Sequence, residues 1–244
     1  MSNKAFSPTP LTLHPSTAKI SEVFRSIQGE GPYAGVPQVF IRFFGCHMHC
    51  SWCDTPDSIG DGKRVYKEYT LPQLVRTVGP LAKDCHSVSL TGGEPLLQAD
   101  FIKLLIPHLK KMGSKIYLET SGVLFKELKK VVGGVDIVAM DLKLPSSTRC
   151  RPFWEEHAEF LKIAKRKDCF IKTVISGETT REDVVRAARL VSAVAPRTFF
   201  VLQPNTFDLH NGAVGKCRDF QTVCLKYLSD VRILPQLHKF MKVR

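Results

Sequence analysis

The sequence predicts an α/β fold, a single-domain partial (β/α) barrel whose parallel strands are covered by helices. Short, almost continuously apolar runs alternate with helical patterns, as expected of strands that are buried on both faces. The 244 residues can bury one full core, and no linker rich in proline and glycine divides them. Seven strands are predicted, one fewer than in a closed barrel, so a splayed barrel or an open sheet is expected.

The predicted elements follow one another in strand–helix order. The strands lie at 38–44, 87–90, 115–119, 136–141, 169–175, 198–202 and 231–234. The helices lie near 70–83, 97–112, 123–132, 154–166, 179–194 and 215–228. Two helix starts carry typical signals, since Thr180 precedes acidic residues of a first turn and Thr70 precedes a proline two positions later.

Residues 1–17 differ in composition from the rest of the chain. They contain three prolines, several serines and threonines and no acidic residue. We therefore expect a flexible N-terminal tail before a folded domain at 18–244. No apolar run approaches the roughly 20 residues that cross a bilayer, and the N-terminus lacks the layout of a secretory signal. A cytoplasmic protein without a membrane partner is the resulting expectation.

The net charge of +12 invites a nucleic-acid interpretation. Lysine and arginine are nevertheless spread along the chain in short runs, without an arginine-rich tail or a basic stripe interleaved with aromatic residues. Such runs are usually solvated helix faces, and attraction of small anionic ligands explains the charge as well. No direct nucleic-acid partner is predicted.

Three of the eight cysteines are clustered in the stretch FFGCHMHCSWCDTP. Cys46, Cys50 and Cys53 are separated by three and two residues, which suits a four-iron cluster that keeps one iron without a protein ligand. A zinc site completed by His47 or His49 is the alternative, although both histidines lie inside the cysteine spacing. On the cysteines alone the cluster is favoured and zinc stays open. The other five cysteines are scattered and read as buried or free thiols: Cys85, Cys150, Cys169, Cys217 and Cys224.

Polar motifs follow the predicted strands one after another. They are the cysteine stretch, TGGEP (91–95), ETSG (119–122), DLKLPSS (141–147), SGE (176–178), QPN (203–205) and PQLHK (235–239). The carboxyl ends of parallel strands share one rim, where active sites of such folds form. The sequence therefore predicts one site assembled from the whole chain.

The cysteine spacing, with Trp52 before the last cysteine, and the Gly-Gly-Glu-Pro loop together resemble the radical S-adenosylmethionine (SAM) enzymes. The resemblance implies a partial barrel of that type. It also implies a [4Fe-4S] cluster on the three cysteines, whose open iron binds SAM and whose electron cleaves SAM to methionine and a 5′-deoxyadenosyl radical. The residues that the resemblance assigns to SAM are Gly93, Glu94, Ser121, Asp141, Leu142, Lys143 and Gln203. Of these, Glu94 offers a carboxylate to the ligand's ammonium group.

Three further stretches are similar to the 7-carboxy-7-deazaguanine synthases. They are SIQGEGPYAGVPQVFIRFFGC (26–46), CDTP (53–56) and the C-terminal PQLHKFMKVR, and the resemblance spans 18–244. It implies conversion of 6-carboxy-5,6,7,8-tetrahydropterin to 7-carboxy-7-deazaguanine, a step of queuosine-type 7-deazapurine biosynthesis. Hydrogen abstraction at C6 starts the ring contraction, ammonia is lost, and SAM is regenerated at each turnover.

The candidate substrate residues combine chemistry and resemblance. Arg42 lies in a strand that otherwise reads as buried, so its guanidinium needs an anion, either a protein carboxylate or the substrate's. The resemblance favours the substrate. It also implies that backbone amides and carbonyls of Ile27, Gln28 and Gly29 contact the edge of a flat heterocycle. The alternative for this stretch is a plain hairpin turn without a ligand. The resemblance also implies a substrate contact for Thr91 and a Mg²⁺ contact for Thr55, for which a helix cap or a turn is the alternative. His238 is a further candidate for the substrate pocket, and Lys172 is expected to face the site.

The partners implied are the pterin, an external electron donor resembling flavodoxin or ferredoxin, and a second copy in a homodimer. Two other functions compete with this interpretation. A glycyl-radical activase shares the cysteine spacing but acts on a partner protein, and it requires neither IQGEGP nor a buried arginine. A basic zinc module that docks nucleic acid would be colourless, whereas a cluster would make the protein brown.

Overall fold

The structure is a computed structural model that describes residues 16–60 and 66–243. Its nine strands form one sheet. They are β1 (Thr17–Ile27), β2 (Pro37–Phe43), β3 (Lys67–Thr70), β4 (Ser87–Gly92), β5 (Lys115–Thr120), β6 (Ile137–Asp141), β7 (Asp168–Ile175), β8 (Phe199–Pro204) and β9 (Val231–Ile233). The helices are α1 (Leu71–Ala82), α2 (Ala99–Lys111), α3 (Phe125–Val131), α4 (Pro145–Thr148), α5 (Trp154–Ala164), α6 (Arg181–Val194), α7 (Ala213–Cys224) and α8 (Leu237–Met241).

The strand order across the sheet is β3-β1-β2-β4-β5-β6-β7-β8-β9. From β2 to β9 every neighbouring pair is parallel, with helices between successive strands. The sheet is open, with β3 at one edge and β9 at the other. The predicted parallel α/β fold is confirmed, and each of the seven predicted strands overlaps an observed one.

Two strands of the described residues were not predicted, and both are antiparallel. β1 pairs with β2 on one side and with β3 on the other. β1 is largely half-buried and carries charged residues, and β3 has four residues, three of them exposed. Neither is the continuous apolar run that marks a strand buried on both faces. The count of seven strands is thus wrong by these two.

The helix starts follow the predicted capping chemistry. In α1, Thr70 and Gln73 form a reciprocal capping box, with the Thr70 amide donating to Gln73 Oε1 at 2.9 Å. In α6, Thr180 Oγ1 accepts from the amide of Asp183 at 3.4 Å. The short helices α4 and α8, of four and five residues, were not predicted.

The two faces of the central strands serve different purposes because side chains alternate along a strand. One face packs against the helices in the main core, which includes Leu118, Met140, Ile171 and Leu202. The other face carries a smaller apolar cluster of Tyr117, Ile137, Ala139, Phe170 and Val201. Two positions further along the strands, this second face carries polar side chains at Glu119, Asp141, Lys172 and Gln203. On this face of the sheet, the polar side chains at the strand ends therefore lie next to the smaller apolar cluster.

Most of the predicted tail lies outside the described residues, which begin at residue 16. Thr17 is the first residue of β1 and pairs with Thr70 of β3, so it belongs to the sheet. Within the described ranges, no helix combines the length and apolarity needed to cross a membrane.

Candidate active site

A pocket opens over the carboxyl ends of the strands, where the predicted motifs meet. It is lined by every predicted site residue except Glu94 and Leu142. Those lining it are Ile27, Gln28, Gly29, Arg42, Cys46, Cys50, Cys53, Thr55, Thr91, Gly93, Ser121, Asp141, Lys143, Gln203 and His238. Residues as far apart in the chain as Ile27 and His238 thus form one site, as expected for loops that share one rim of a parallel sheet.

The cysteine stretch forms a loop after β2 that is held by backbone hydrogen bonds. The amide of Cys46 donates to the carbonyl oxygen of Ile59 at 3.0 Å, and that of Cys53 to the carbonyl oxygen of Cys50 at 3.0 Å. All three thiols are free, half-buried and line the pocket. His47 does not line it, and both of its ring nitrogens are buried without a partner among the described atoms. His47, one of the two histidines considered for a zinc site, therefore lies outside the lining that the three thiols share.

Cys150 joins this loop, although the sequence gives it as an isolated thiol. It packs with Cys46 and Cys50 against Met48 and Phe153. A hydrogen bond from the Cys50 thiol lowers the pKa of Cys150 to about 6 and raises that of Cys50. Cys150 is a free thiol, as the sequence suggests, but the structure places it beside the cysteine loop. The available signal was its position three residues after the end of the DLKLPSS motif.

The two glycines of TGGEP bring two backbones together. The Gly93 amide donates to the carbonyl oxygen of Phe43 at 3.1 Å. A Cβ on Gly93 would lie 2.3 Å from the carbonyl oxygen of Gly45. Glycine is thus required for packing against the start of the cysteine loop, which fixes the two motifs relative to each other.

Glu94 lies behind the pocket, fully buried, and its carboxylate is surrounded by donors from the protein. Oε1 accepts from the Leu96 amide at 3.0 Å and the Thr120 hydroxyl at 2.9 Å. Oε2 accepts from the Ser121 amide at 2.8 Å and the Ser121 hydroxyl at 2.6 Å. In this arrangement Glu94 orients Ser121, which does line the pocket. Leu142, the other residue outside the lining, is buried in the main core.

Two unpartnered acceptors mark the part of the pocket assigned to SAM. Asp141 Oδ2 accepts from Lys143 Nζ at 2.8 Å, while Asp141 Oδ1 is buried without a partner. Gln203 Oε1 is likewise buried and unpartnered among the described atoms. The Lys143 ammonium lies 4.6 Å from the centre of the Trp52 ring. Burial lowers the pKa of Lys143, but attraction by Asp141 leaves it above its usual value.

A buried ion pair crosses the middle of the pocket. Lys172 Nζ pairs with Glu30 Oε2 and lies 3.5 Å from Asp141 Oδ2. Glu30 Oε1 also accepts from Gln203 at 3.2 Å and Gln236 at 2.7 Å. Burial raises the pKa of Glu30, but Lys172 and these donors lower it to about 2. Lys172 faces the site as predicted, whereas the role of Glu30, inside IQGEGP, was missed.

The loop between β1 and β2 is a hairpin connection, and its residues also line the pocket. The Gln28 side chain donates to Glu119 Oε1 at 2.8 Å and to Gln38 Oε1 at 3.0 Å. Thr91 Oγ1 donates to Glu119 Oε2 at 2.7 Å. Glu119, another residue not predicted, therefore fixes two of the predicted substrate residues.

The C-terminal segment packs on the same loop. The Leu237 amide donates to the carbonyl oxygen of Gly29 at 2.9 Å. A Cβ on Gly29 would lie 2.1 Å from His238 Nδ1. Burial lowers the pKa of His238. The structure thus brings together the two motifs that most resemble the synthases.

Arg42 has a protein carboxylate beside it. Its Nε lies 3.5 Å from Glu22 Oε2, directly across the β1–β2 pair, and its guanidinium stands 5.8 Å from the centre of the Phe24 ring. The side chain is 20% exposed and lines the pocket. Arg42 therefore forms the ion pair within the protein that was the alternative to a substrate contact. The guanidinium nevertheless still lines the pocket.

Thr55 precedes a short 3-10 helix, Pro56–Ser58, without a side-chain capping hydrogen bond. Its hydroxyl lies 4.0 Å from Cys53 Sγ. Its side chain thus makes no cap, but its carbonyl oxygen accepts from the Ser58 amide at 3.0 Å and the Ser58 hydroxyl at 2.8 Å, which is the turn role considered for Thr55. Asp54, next to it, lies 3.6 Å from Lys239 Nζ and accepts from Gln236 at 3.1 Å.

Comparison with known proteins identifies the family. The model of the radical SAM superfamily matches residues 40–191. The 7-carboxy-7-deazaguanine synthase of Geobacter sulfurreducens is 37% identical over 243 residues, covering 92% of this chain and 97% of that protein. Those of Methanospirillum hungatei and Thermoplasma acidophilum are 41% and 34% identical, covering 93% and 91% of this chain and 86% and 96% of theirs. The chain is a radical SAM enzyme of the 7-carboxy-7-deazaguanine synthase family.

Solved structures agree in fold with this member of the family. The crystal structure of QueE from Escherichia coli superposes with a TM-score of 0.64 at 22% identity, covering 89% of this chain and 93% of that one. SuiB of Streptococcus suis bound to S-adenosylmethionine gives 0.55 at 15% identity, covering 79% and 45%. The predicted partial barrel is confirmed.

Membership in the radical SAM superfamily implies a [4Fe-4S] cluster and SAM, and the residues present fit both. The three thiols come from one loop, are free and all line the pocket, and thiolates are the ligands that such a cluster takes. The buried, unpartnered oxygens of Asp141 and Gln203 can accept from hydroxyl or ammonium groups of SAM. The zinc interpretation lacks this support from the family to which the chain belongs.

Proposed function

We propose that the enzyme converts 6-carboxy-5,6,7,8-tetrahydropterin to 7-carboxy-7-deazaguanine and ammonia. One observation carries the proposal. A single pocket joins the three thiols of a radical SAM cluster to the 27–30 loop and the C-terminal segment, which are the stretches most similar to the synthases. The curated relatives carry this activity in their names.

The cluster side of the pocket holds the cofactors. Cys46, Cys50 and Cys53 would hold the cluster, and bound SAM with a reduced cluster supplies a 5′-deoxyadenosyl radical. The residues proposed to hold SAM are Gly93, Glu94, Ser121, Asp141, Leu142, Lys143 and Gln203. Of these, Asp141 and Gln203 contribute free acceptors, and Lys143 neutralises Asp141. Glu94 acts through Ser121, and Leu142 holds the backbone between Asp141 and Lys143 through hydrogen bonds with Lys172 and Thr173.

The opposite side of the pocket would hold the pterin. Arg42 meets its carboxylate from the pocket surface, beside Glu22. The backbone of Ile27, Gln28 and Gly29 meets the edge of the ring, with His238 packed behind Gly29. Thr91 adds a hydroxyl that Glu119 orients. Together these contacts place C6 towards the cofactor side, which is the positioning that the reaction requires.

The chain supplies no general base in this scheme. Glu30 and Lys172 both line the pocket and neutralise each other there, so the pair adds no net charge between the SAM side and the pterin side. The overall change balances as loss of one ammonia from the pterin. The electrons for the cluster come from an external donor of the flavodoxin or ferredoxin type.

Three further features are part of the proposal. A Mg²⁺ ion held by Thr55 and completed by substrate and water would bind next to the cluster loop, where the hydroxyl makes no cap. The enzyme would act as a homodimer. A reducing cytoplasm would keep the cysteines available as ligands, since thiolates are what a cluster requires.

An anaerobic incubation tests the reaction. Cluster-reconstituted protein receives reductant, SAM, Mg²⁺ and 6-carboxytetrahydropterin, and the products are read by mass spectrometry. A product lighter than the pterin by one ammonia, formed without net consumption of SAM, is expected. Intact pterin with release of 5′-deoxyadenosine would reject this substrate and favour a glycyl-radical activase.

A matched variant sharpens this test. Arg42→Lys keeps a cation but loses the planar fork that binds a carboxylate at two points. We expect it to bind cluster and SAM as the native enzyme does, while turnover of the pterin falls. Unchanged turnover would remove Arg42 from the proposed substrate site.

A further inference from the structure

A buried histidine of α5 connects two loops of the pocket without lining it. His157 is 0% exposed. Its Nδ1 lies 2.9 Å from the carbonyl oxygen of Gly122, and its Nε2 lies 3.1 Å from the amide nitrogen of Lys143. Because a carbonyl only accepts and an amide N–H only donates, Nδ1 carries the proton and Nε2 is bare. The ring is therefore neutral, in agreement with burial that lowers the pKa of His157 to about 4.

The two contacts join loops that follow different strands. Gly122 follows Ser121 after β5, and Lys143 follows Asp141 after β6. Ser121, Asp141 and Lys143 all line the pocket. The imidazole thus acts as a spacer whose two ends hold the backbone of both loops.

The space around the first contact is tight. Gly122 has a φ of +70°, and a Cβ there would lie 2.8 Å from Met140 Cγ and 3.2 Å from His157 Nδ1. A side chain at 122 would therefore press on Met140 and on the His157 ring, so the turn that His157 contacts requires glycine. The second contact fixes the backbone of Lys143, whose ammonium pairs with Asp141, another residue that lines the pocket.

We propose that His157 is a positioning residue that sets the spacing of these two loops and thereby the affinity for SAM. The inference rests on the proposed role of the loops in binding SAM. His157 itself touches no ligand. A histidine of purely structural purpose would stabilise the fold without a selective effect on SAM.

Two substitutions separate the contacts. Gln places a carbonyl oxygen near the position of Nε2, so His157→Gln keeps an acceptor for the Lys143 amide and loses the donor to Gly122. Asn places an amide nitrogen near the position of Nδ1, so His157→Asn keeps the donor and loses the acceptor. Since a buried group left without its partner is costly, each variant should weaken SAM binding about tenfold.

The measurement is the dissociation constant of SAM for the cluster-loaded full chain, with the KM for SAM and kcat from turnover. We expect both variants to raise the dissociation constant and the KM for SAM while kcat at saturating SAM stays close to native. Hydrogen exchange of the peptide that carries Lys143 should quicken more in His157→Asn than in His157→Gln. His108→Gln, at an exposed histidine of α2, is the control and should change none of these values.

Three outcomes overturn the inference. They are native SAM affinity in both variants with an intact cluster, a fall in thermal stability without any change in SAM affinity, and equal weakening of SAM and pterin binding. The dissociation constant of SAM is measured without pterin. Failure of the pterin to react would remove the KM and kcat readouts and count against the proposed function, but it would leave the test by dissociation constant standing.

Discussion

The imidazole of His238 occupies the space that a side chain on Gly29 would need, with Nδ1 2.1 Å from the position of such a Cβ. The Leu237 amide also donates to the carbonyl oxygen of Gly29 at 2.9 Å. The C-terminal segment is therefore docked on the hairpin loop by a contact that only glycine permits. Both sides of the contact line the pocket, so the end of the chain completes the site.

Gly29→Ala should displace His238 from the pocket. Because misplacement by about 1 Å in an active site can cost about a hundredfold in rate, we expect kcat/KM for the pterin to fall by about that factor. The cluster content should stay native, since the three clustered cysteines lie on a different loop. Gly133→Ala, where a Cβ meets nothing within 4 Å, is the control. Native kinetics in Gly29→Ala would contradict the docking.

Lys172→Met should destabilise the enzyme at neutral pH. It leaves the Glu30 carboxylate buried with only neutral donors, Gln203 and Gln236. Removing one partner of a buried ion pair costs about 3 kcal/mol or more. Urea unfolding at pH 7 measures the loss. Lys130→Met, which removes an exposed pair with Asp100, should change the free energy of unfolding by less than about 1 kcal/mol.

The same ion pair gives the native enzyme a dependence on acid. Glu30 has a pKa of about 2 when folded against an ordinary value of 4.5, so the unfolded chain binds more protons between these values. The contribution, about 3 kcal/mol, is present above pH 4.5 and is lost as the pH falls towards 2. In Lys172→Met the pKa of Glu30 should rise and this loss should shrink. Equal acid profiles for the two proteins would contradict the pairing.

Some parts of this structure could be predicted from residue patterns and others could not. The strands from β4 to β8 are short, mostly buried runs rich in apolar residues, and the polar motifs after them lie on one rim because parallel strands point the same way. β1 is half-buried and antiparallel, and its pattern therefore lacks that signature. Its place in the sheet depends on its pairing with β2 and β3, which the residue pattern of β1 alone does not predict.

The missed site residues share a physical reason. Glu30, Glu119, Cys150 and His157 are ordinary residues in sequence, and each acquires its role from a partner distant in the chain. Glu30 meets Lys172 of β7, and His157 of α5 meets Gly122. No spacing rule connects such pairs, because the sheet order and not the sequence separation brings them together.

Cys150→Ser should retain the cluster, whereas Cys50→Ser should lose it. Three cysteines in one loop suffice for a cluster that keeps an open iron, and Cys150 contacts that loop from outside it. The measurement is iron and sulfide per chain after anaerobic reconstitution, with the visible absorbance of the cluster. Cys85→Ser is the control, since Cys85 donates to the carbonyl oxygen of Leu81, within its own segment. Loss of iron in Cys150→Ser would make Cys150 a ligand and leave no open iron for SAM.

Glu94→Gln should weaken both stability and SAM binding. The carboxylate accepts from the Leu96 amide, the Thr120 hydroxyl and both donors of Ser121. A glutamine keeps one acceptor oxygen and turns an NH₂ group towards the donors of the other, which costs about 1–3 kcal/mol.

Urea unfolding of Glu94→Gln and the dissociation constant of SAM for its cluster-loaded form measure the two effects. Glu159→Gln, at an exposed pair with Lys162, is the control and should leave both values unchanged. If Glu94 acts by orienting Ser121, then Ser121→Ala should reproduce the loss of SAM affinity. Glu94→Gln should then add little to it, because both changes break the same contact. Fully additive losses would instead mean that Glu94 meets the ammonium group of SAM directly.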